Sequence, residues 1–269
     1  MKIDLISDVH LEFGDWNPVN PDNADVLVLA GDIIVGKDLI SKGRKAPELH
    51  KFFQKACELY KDVIYVLGNH CAYNGDFIST LPGIRKELAY LKNLHILEKQ
   101  SVKIGDIIFI GGTLWTDCNK EDPISMMVLS QSMNDYRVIT NGFIDSNTKK
   151  IFQPEDSVKD YKECLAYFRK ELEKHKDEEC VVVSHHAPSF SCVNESYRSD
   201  YHMNGGYASA LDQFILNHPQ IKVWVHGHVH TPVDFYRGST RILSNPRGYS
   251  GIERGSNDQY PYLPVTFEI

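Results

Sequence analysis

Aspartate, asparagine and histidine residues recur directly after short apolar runs of this chain. Asp8 and His10 follow KIDLIS, Asp32 follows DVLVLA, and Asn69 and His70 follow DVIYVL. The later members of the set are histidines that follow VVVS and KVWV: His185, His186, His226, His228 and His230. Carboxylate and imidazole groups together suit manganese, iron or zinc, so the set predicts a metal site.

The apolar runs that precede these residues predict the strands that would position them. Six runs are almost continuously apolar, as buried strands are: KIDLIS, DVLVLA, DVIYVL, IIFIGG, CVVVSH and KVWVHG. Because the carboxyl ends of strands form the functional edge of an open α/β sheet, we expect five strands to deliver ligands to one rim. A carboxylate at that rim could bridge two ions held about 3.5–4 Å apart.

Longer amphipathic stretches alternate with the strands. Apolar residues recur at helical spacing from Ala46 to Tyr60 and from Val158 to Leu172. This alternation predicts an α/β fold with right-handed crossovers. Closely spaced strands near IIFIGG and after His230 indicate antiparallel additions, so we expect a sandwich of mixed sheets.

The motifs carry more information together than any residue carries alone. A single histidine near a strand end is more often a surface or hydrogen-bonded residue than a ligand. Asp-x-His, Gly-Asp, Gly-Asn-His, a histidine pair and Gly-His-x-His, each directly after an apolar run, are hard to produce by accident. Glycine permits tight turns, and we expect Gly31, Gly68 and Gly227 to help aim the ligands inward.

In order, the motifs SDVH, AGD, GNH, SHH and HGHVH, over residues 7 to 230, resemble those of the calcineurin-like metallophosphoesterase superfamily. The resemblance implies a four-layer α-β-β-α sandwich of two mixed β-sheets with a dinuclear metal centre. The implied ligands are Asp8, His10 and His230 for one ion, Asn69, His185 and His228 for the other, and Asp32 as the bridge. His185 matches the family ligand better than His186, because it stands three residues before Pro188, and His186 is expected behind it or facing the substrate.

The resemblance also implies a reaction. Two divalent ions, manganese first and iron or zinc as alternatives, would generate a hydroxide that attacks the phosphorus of a phosphomonoester or phosphodiester. Asp32 would hold both ions, and His70 would stabilise the developing charge or protonate the leaving group. The substrate is expected to be a small phosphorylated molecule, with nucleotides included.

Two positions leave their roles open. The family often continues Gly-Asn-His with Asp or Glu, whereas this chain has Cys71, a weak acceptor that either packs in the core or weakens the role of His70. His226 either orients a neighbouring ligand through a hydrogen bond or is an inward-facing strand residue.

An irregular, polar segment at about 113–154 interrupts the alternation of strands and helices, with one helix predicted near Ile124 to Ser132. We expect an ordered lid within a single domain that spans residues 1–269. The segments NDYR and NPRGY each combine Asn, Arg and Tyr, which suits phosphate binding and base stacking, and they resemble features of small bacterial or phage members. They make Arg137, Arg247 and Tyr249 candidate substrate contacts, although ordinary turn and surface roles are as frequent.

Composition narrows the alternatives. The net charge of -7 and the pI near 5.9 disfavour a long nucleic-acid track, so a nuclease is the weaker enzymatic reading. The third reading is a metal-binding scaffold that has lost catalysis, but the chain keeps every ligand motif. The N-terminus MKIDLISDVH fits neither a signal peptide nor a membrane helix, and the six scattered cysteines suggest free thiols, so we expect a cytoplasmic protein.

Overall fold

Two mixed β-sheets form the centre of the structure, a computed structural model that describes residues 1–145, 147–252 and 261–269. The strands are β1 (Lys2–Ile6), β2 (Val26–Ala30), β3 (Asp62–Val66), β4 (Leu94–Ile96), β5 (Gln100–Ile104), β6 (Ile107–Gly112), β7 (Thr140–Phe143), β8 (Lys149–Ile151), β9 (Glu179–Ser184), β10 (Ile221–His226), β11 (Val233–Arg237), β12 (Thr240–Ser244) and β13 (Val265–Glu268). The five-stranded sheet has the order β13-β1-β2-β3-β4, and the six-stranded sheet has the order β11-β12-β10-β9-β6-β5.

Parallel pairing dominates the middle of both sheets. Strands β1 to β4 are parallel to one another, as are β6, β9, β10 and β12. Antiparallel strands form three of the four sheet edges: β13 pairs with β1, β5 with β6, and β11 with β12. The six predicted strands and the antiparallel additions near IIFIGG and after His230 are therefore confirmed.

Helices such as α2 and α7 cover the outer faces of the two sheets. The described helices are α1 (Gly36–Ile40), α2 (Ala46–Leu59), α3 (Phe77–Leu88), α4 (Cys118–Glu121), α5 (Pro123–Ser132), α6 (Asp135–Val138), α7 (Pro154–Lys174), α8 (Tyr201–Asn204) and α9 (Asp212–Leu216). Short 3-10 turns span Asn69–Ala72, Phe190–Cys192 and Glu195–Tyr197. Proline at the first turn of α2, α5 and α7 favours their starts, because its missing N–H has no helical partner there.

Three apolar clusters define the four layers of the sandwich. Side chains such as Leu5, Val28 and Val183 fill the space between the two sheets. Phe53 of α2 belongs to the cluster on the outer face of the five-stranded sheet, and Phe168 of α7 to the one on the outer face of the six-stranded sheet. The expected four-layer arrangement of helices, sheet, sheet and helices is confirmed.

The segment at about 113–154 contains α4, α5, α6 and the small β7–β8 sheet, and α5 is the helix that the sequence predicts near Ile124 to Ser132. Its apolar side chains form a separate cluster in which Trp115, Tyr136 and Phe152 are buried. All six cysteines are free thiols, as expected. Within the described ranges, no helix is both long and apolar enough to cross a membrane.

Candidate metal centre

The ends of five strands bring the predicted ligands together in two groups. The first ligand group is Asp8, His10 and His230, with one donor atom of each within 4.8 Å of the others. Its two imidazoles face each other, with 3.1 Å between the Nε2 atoms, and the His230 Nε2 lies 3.5 Å from Asp8 Oδ1.

The second ligand group is Asn69, His185 and His228. The Asn69 Oδ1 lies 3.0 Å from His185 Nε2, and His185 and His228 each offer an atom within 4.8 Å of an Asp32 oxygen. Asp32 Oδ2 also lies 3.3 Å from His185 Nε2 and 3.9 Å from His10 Nε2. Asp32 therefore stands between the two groups, at the position that the resemblance implies for a bridge.

The donor atoms of both groups fit divalent cations. Asp8 Oδ2 and His228 Nε2 are buried and have no hydrogen-bond partner among the described residues. Buried polar atoms without a partner are costly, and a bound cation would satisfy both of these atoms. Carboxylate, amide and imidazole donors that converge in this way can hold metal ions.

Five of the seven candidate ligands have a left-handed backbone conformation, with φ between 45° and 68°. This conformation is uncommon for non-glycine residues and costs about 1–3 kcal/mol, and where it occurs it is often at a functional site. The five are Asp8, His10, Asp32, His228 and His230.

The glycines beside the ligands meet two different needs. Gly31 has a φ of 89°, so it provides the turn that the sequence predicts. Gly68 has an extended backbone with a φ of -112°, and a Cβ there would overlap the Asp32 carboxylate. A Cβ on Gly227 would lie 2.6 Å from Asp8 Oδ2. Space for the carboxylates, rather than turn geometry, is what Gly68 and Gly227 provide.

Electrostatics favour the metal-binding protonation state of two of the ligands, Asp32 and His228. Burial opposes ionisation of Asp32, but the charges of His185 and His70 outweigh it and hold the pKa of Asp32 well below its ordinary value. Burial, reinforced by His186 and His185, holds the pKa of His228 well below its ordinary value. The carboxylate is thus ionised and this imidazole neutral, as metal coordination requires.

Glu12 is a site residue that the motif analysis missed. Its Oε1 lies 2.8 Å from His70 Nδ1 and 3.0 Å from His10 Nδ1, so one carboxylate holds both rings. Although burial disfavours the charge, hydrogen bonds from His10 and His70 lower the pKa of Glu12 to about 2. The spacing Asp8-x-His10-x-Glu12 was the available signal.

Cys71 does not contact His70 through its thiol. The Sγ lies 3.1 Å from the Tyr65 hydroxyl and 3.4 Å from the Gly68 N–H, and the side chain is buried. Burial raises the pKa of Cys71 to about 12, so the thiol is neutral. Packing is the role that the structure shows for this residue.

His70 is fixed by contacts of both its backbone and its ring. Its backbone N–H donates to Asp32 Oδ1 at 2.9 Å, and the Tyr73 ring stacks on its imidazole with 3.9 Å between centroids. The Tyr249 hydroxyl lies 3.1 Å from His70 Nε2, which brings this predicted substrate residue to the centre.

Aromatic rings flank the second ligand group. His186 is fully buried, with its ring 4.1 Å from His228 and 5.1 Å from Trp115, and its Nδ1 lies 3.3 Å from the Thr113 carbonyl. Burial and the nearby His185 lower the pKa of His186 to about 3. Tyr207 stacks on His228 with 5.0 Å between centroids, a contact with no signal in the sequence.

The two predicted arginines lie outside the ligand groups. Arg137 donates to the Gln131 carbonyl on the exposed side of its helix. Arg247 donates to the carbonyls of Val9 and Gly14 at 3.1 and 2.8 Å, so it fastens the loop that carries Glu12.

Asp135, rather than Arg137, is the residue of the NDYR segment that reaches the centre. It is buried, and its Oδ2 accepts from the Tyr73 hydroxyl at 3.2 Å, which in turn lies 3.5 Å from Asn69 Nδ2. Burial raises the pKa of Asp135. Asp135 and Tyr73 are therefore placed to turn the Asn69 oxygen toward the second ligand group.

His226 is buried on β10 beside the ligands. Its Nδ1 lies 2.9 Å from the Gly227 carbonyl, and burial lowers its pKa to about 4. The described contacts of His226 include no hydrogen bond to a ligand histidine, which favours the inward-facing strand residue over the orienting role.

Residues 1–232 of the sequence match the calcineurin-like phosphoesterase family. The chain belongs to this family. As such, it is a metal-dependent phosphoric ester hydrolase.

Individual relatives extend the likeness over nearly the full length. The uncharacterised protein L509 of Acanthamoeba polyphaga mimivirus is 29% identical over 288 residues, which cover 97% of this chain and 95% of L509. Among solved structures, the phosphopantetheinyl hydrolase PptH of Mycobacterium tuberculosis superposes with a TM-score of 0.69 at 15% identity and covers 98% of this chain and 95% of its own. A dimetal phosphatase of Danio rerio gives 0.55 at 16% identity and covers 98% and 91%. At these identities the two structures support the fold.

Proposed function

We propose that this enzyme uses two divalent metal ions, manganese in the first place, to hydrolyse a small phosphomonoester or phosphodiester, nucleotides included. The observation that carries the proposal is the pair of ligand groups with Asp32 between them and His70 beside them. Every ligand that the family motif implies is present.

The chain's own residues would hold the ions in a fixed arrangement. The first ligand group would hold one ion, the second group the other, and Asp32 both. When bound, such ions lower the pKa of water toward neutrality and polarise the phosphoryl oxygens. An ionised Asp32 and a neutral His228 would allow these two residues to bind an ion without a prior proton transfer.

His70 would act on the substrate rather than on a metal ion. An N–H at Nδ1 donates to Glu12, which leaves Nε2 directed at the Tyr249 hydroxyl. From this position the imidazolium form of His70, with a second proton on Nε2, would stabilise charge on the phosphoryl group or donate that proton to the departing oxygen. Tyr249 would lie beside the same oxygen, so its hydroxyl is a candidate substrate contact.

The segment at about 113–154 would form the lid of the site. It supplies Asp135 to the centre, while Trp115 packs against His186. The fold neighbours include a phosphopantetheinyl hydrolase and a dimetal phosphatase, both in keeping with a small phosphorylated substrate.

Hydrolysis of a chromogenic phosphomonoester and its matching diester tests the proposal. Metal-stripped protein should be inactive, and manganese, iron, zinc or magnesium should be added back one at a time. We expect manganese to restore turnover on at least one ester. Retained turnover in the stripped protein, or two bound ions with no turnover on any phosphate ester, would contradict the proposed function.

A further inference from the structure

The turn that follows the first metal-ligand motif carries an exposed aromatic ring. Phe13 is 41% exposed, and its ring centroid lies 4.8 Å from that of Tyr249 and 6.0 Å from that of His10. The Tyr249 hydroxyl lies 3.1 Å from His70 Nε2, the atom proposed to face the departing oxygen. Phe13 therefore lies one ring beyond Tyr249, where the leaving group of the substrate would reach the protein surface.

The backbone on both sides of Phe13 is fixed. The Phe13 N–H donates to the His10 carbonyl at 2.9 Å. Arg247 donates to the carbonyls of Val9 and Gly14 at 3.1 and 2.8 Å, which fastens the turn before and after the ring. An aromatic ring that is exposed but held in place can stack on a planar group with little further ordering. Nucleobases are planar groups that stack on such rings.

A basic loop reaches the same turn. The loop joins α1 to α2 with the sequence SKGRK, which contains three cations and no acid: Lys42, Arg44 and Lys45. Lys45 Nζ donates to the backbone carbonyl of Glu12 at 3.3 Å, and Glu12 directly precedes Phe13. The loop is thereby placed beside the exposed ring.

Neighbouring acids do little to neutralise the charge of this loop. Among the described residues, Lys42 is the one member with an acidic partner, Glu87, at 3.8 Å. Arg44 is exposed, and the Lys45 ammonium has three N–H donors, more than its contact with Glu12 needs. The chain as a whole has a net charge of -7, so a cationic cluster beside the metal centre favours an anion. Phosphate is an anion that both arginine and lysine bind.

We propose that Phe13, Arg44 and Lys45 form the leaving-group subsite of this enzyme, and that the substrate is a nucleotide with at least two phosphate groups. One phosphate would bind at the metal centre, the second would contact Arg44 and Lys45, and the base would stack on Phe13. A nucleotide of this kind matches the aromatic and the cationic surface together, whereas a sugar phosphate would leave the ring unused. This inference rests on the proposed function, because it places the reacting phosphate at the two ions.

Three analogues that resist hydrolysis test the subsite by binding to the manganese-reconstituted protein. α,β-Methylene-ADP has a base and two phosphorus groups, methylenediphosphonate lacks the nucleoside, and the phosphonate analogue of AMP lacks the second phosphorus group. Calorimetric titration measures each Kd, with the metal content of the protein checked afterwards. We expect α,β-methylene-ADP to bind at least about tenfold more tightly than either of the other two.

Two variants should each remove one of these preferences and keep the other. Phe13→Ala should bring the Kd of α,β-methylene-ADP to within about threefold of that of methylenediphosphonate, because the base no longer stacks. The preference over the AMP analogue should remain. The double variant Arg44→Gln with Lys45→Gln should do the reverse. Because each variant keeps one preference, a general loss of folding cannot produce this pattern.

Matched controls lie at strand ends away from the ligands. Tyr236 is 65% exposed on β11 and pairs with Arg241 near the start of β12, whereas the far end of β12 pairs with His226. Lys222 lies near the start of β10, four residues before His226. Tyr236→Ala and Lys222→Gln should each change the three Kd values less than about twofold.

Equal Kd values for the three analogues in the parent protein would overturn the subsite. Preferences that survive both Phe13→Ala and the double loop variant would overturn it as well. These results are read without turnover, so they differ from failure of the chromogenic ester assay, which would overturn the proposed function itself.

Discussion

The two ligand groups of the centre differ in where their negative charge lies. The first group contains the carboxylate of Asp8, and a second carboxylate, Glu12, holds His10 from behind. The three residues of the second group include no carboxylate, and its His185 Nδ1 lies 3.0 Å from a backbone carbonyl, that of Ala30. The buried acid Asp135 is linked to Asn69 of this group through the Tyr73 hydroxyl.

This difference indicates that the strand ends of one sandwich can form two cation sites of different affinity. Carboxylate ligands and carboxylates behind ligand histidines both strengthen metal binding. We therefore expect the first group to hold its ion more tightly than the second, with the Asp32 carboxylate shared by both.

The largest effect is expected where the two groups meet. Asp32→Asn removes the shared charge, and activity should fall on the order of 1000-fold while both ions are lost on dialysis. Turnover of the chromogenic ester and metal content by mass spectrometry measure this. Asp106→Asn, on an exposed turn, is the control and should leave both unchanged.

Chelation should separate the groups. A chelator titration of the manganese-loaded protein should remove one ion before the other, because the second group lacks a carboxylate of its own. In Asp8→Asn the first group loses its acid, so the gap between the two steps should shrink by at least about tenfold in chelator concentration. Two ions that leave together in the parent protein would refute the inequality.

Glu12→Gln should slow the chemistry without abolishing binding. Loss of the carboxylate frees the Nδ1 positions of His70 and His10, and kcat should fall about 10- to 100-fold at saturating manganese with KM nearly unchanged. Burial lowers the pKa of His70, but Asp32 and Glu12 together raise it above its ordinary value. Glu12→Gln should lower the pKa of His70, so the deficit should grow as the pH rises through the neutral range.

Cys71→Ser is the matched comparison for this variant. The Cys71 thiol contacts Tyr65 and Gly68 instead of His70, so kcat should stay within about twofold of the parent. A larger loss of kcat in Cys71→Ser than in Glu12→Gln would contradict the assignment of the histidine-orienting role to Glu12.

Changes at Asp135, which contacts the second group through Tyr73, should have a smaller effect, confined to the affinity for the second ion. Asp135→Ala removes the acceptor of the Tyr73 hydroxyl and should weaken the second ion about tenfold while the first is unchanged. Asp135→Asn keeps an acceptor oxygen and should weaken that ion less. Calorimetric titration of manganese into each stripped variant provides the two affinities.

Sequence patterns predicted most of the fold because its strands are short buried runs. The periodicity of α2 and α7 also reported their buried faces. The candidate ligands could be predicted because each stands within four residues of a strand end, where local sequence decides placement.

Long-range contacts explain what the sequence left unpredicted. Arg247 looks like a phosphate ligand in isolation, but it donates to carbonyls more than 230 residues away in the chain. Asp135 joins the centre only because α6 packs next to Tyr73, and Tyr207 only because it stacks on His228. No local spacing records such packing.

The left-handed backbones of the ligand residues lower the folding stability of the protein while they place side chains that can bind metal. At Asp8, His10 and Asp32 the chain adopts a conformation that glycine would accept at lower cost, by about 1 kcal/mol or more at each position. A protein selected only to stay folded without metal would drift toward glycine there. The bulky polar residues at these points therefore lower the stability of the metal-free protein, and bound cations would return that stability.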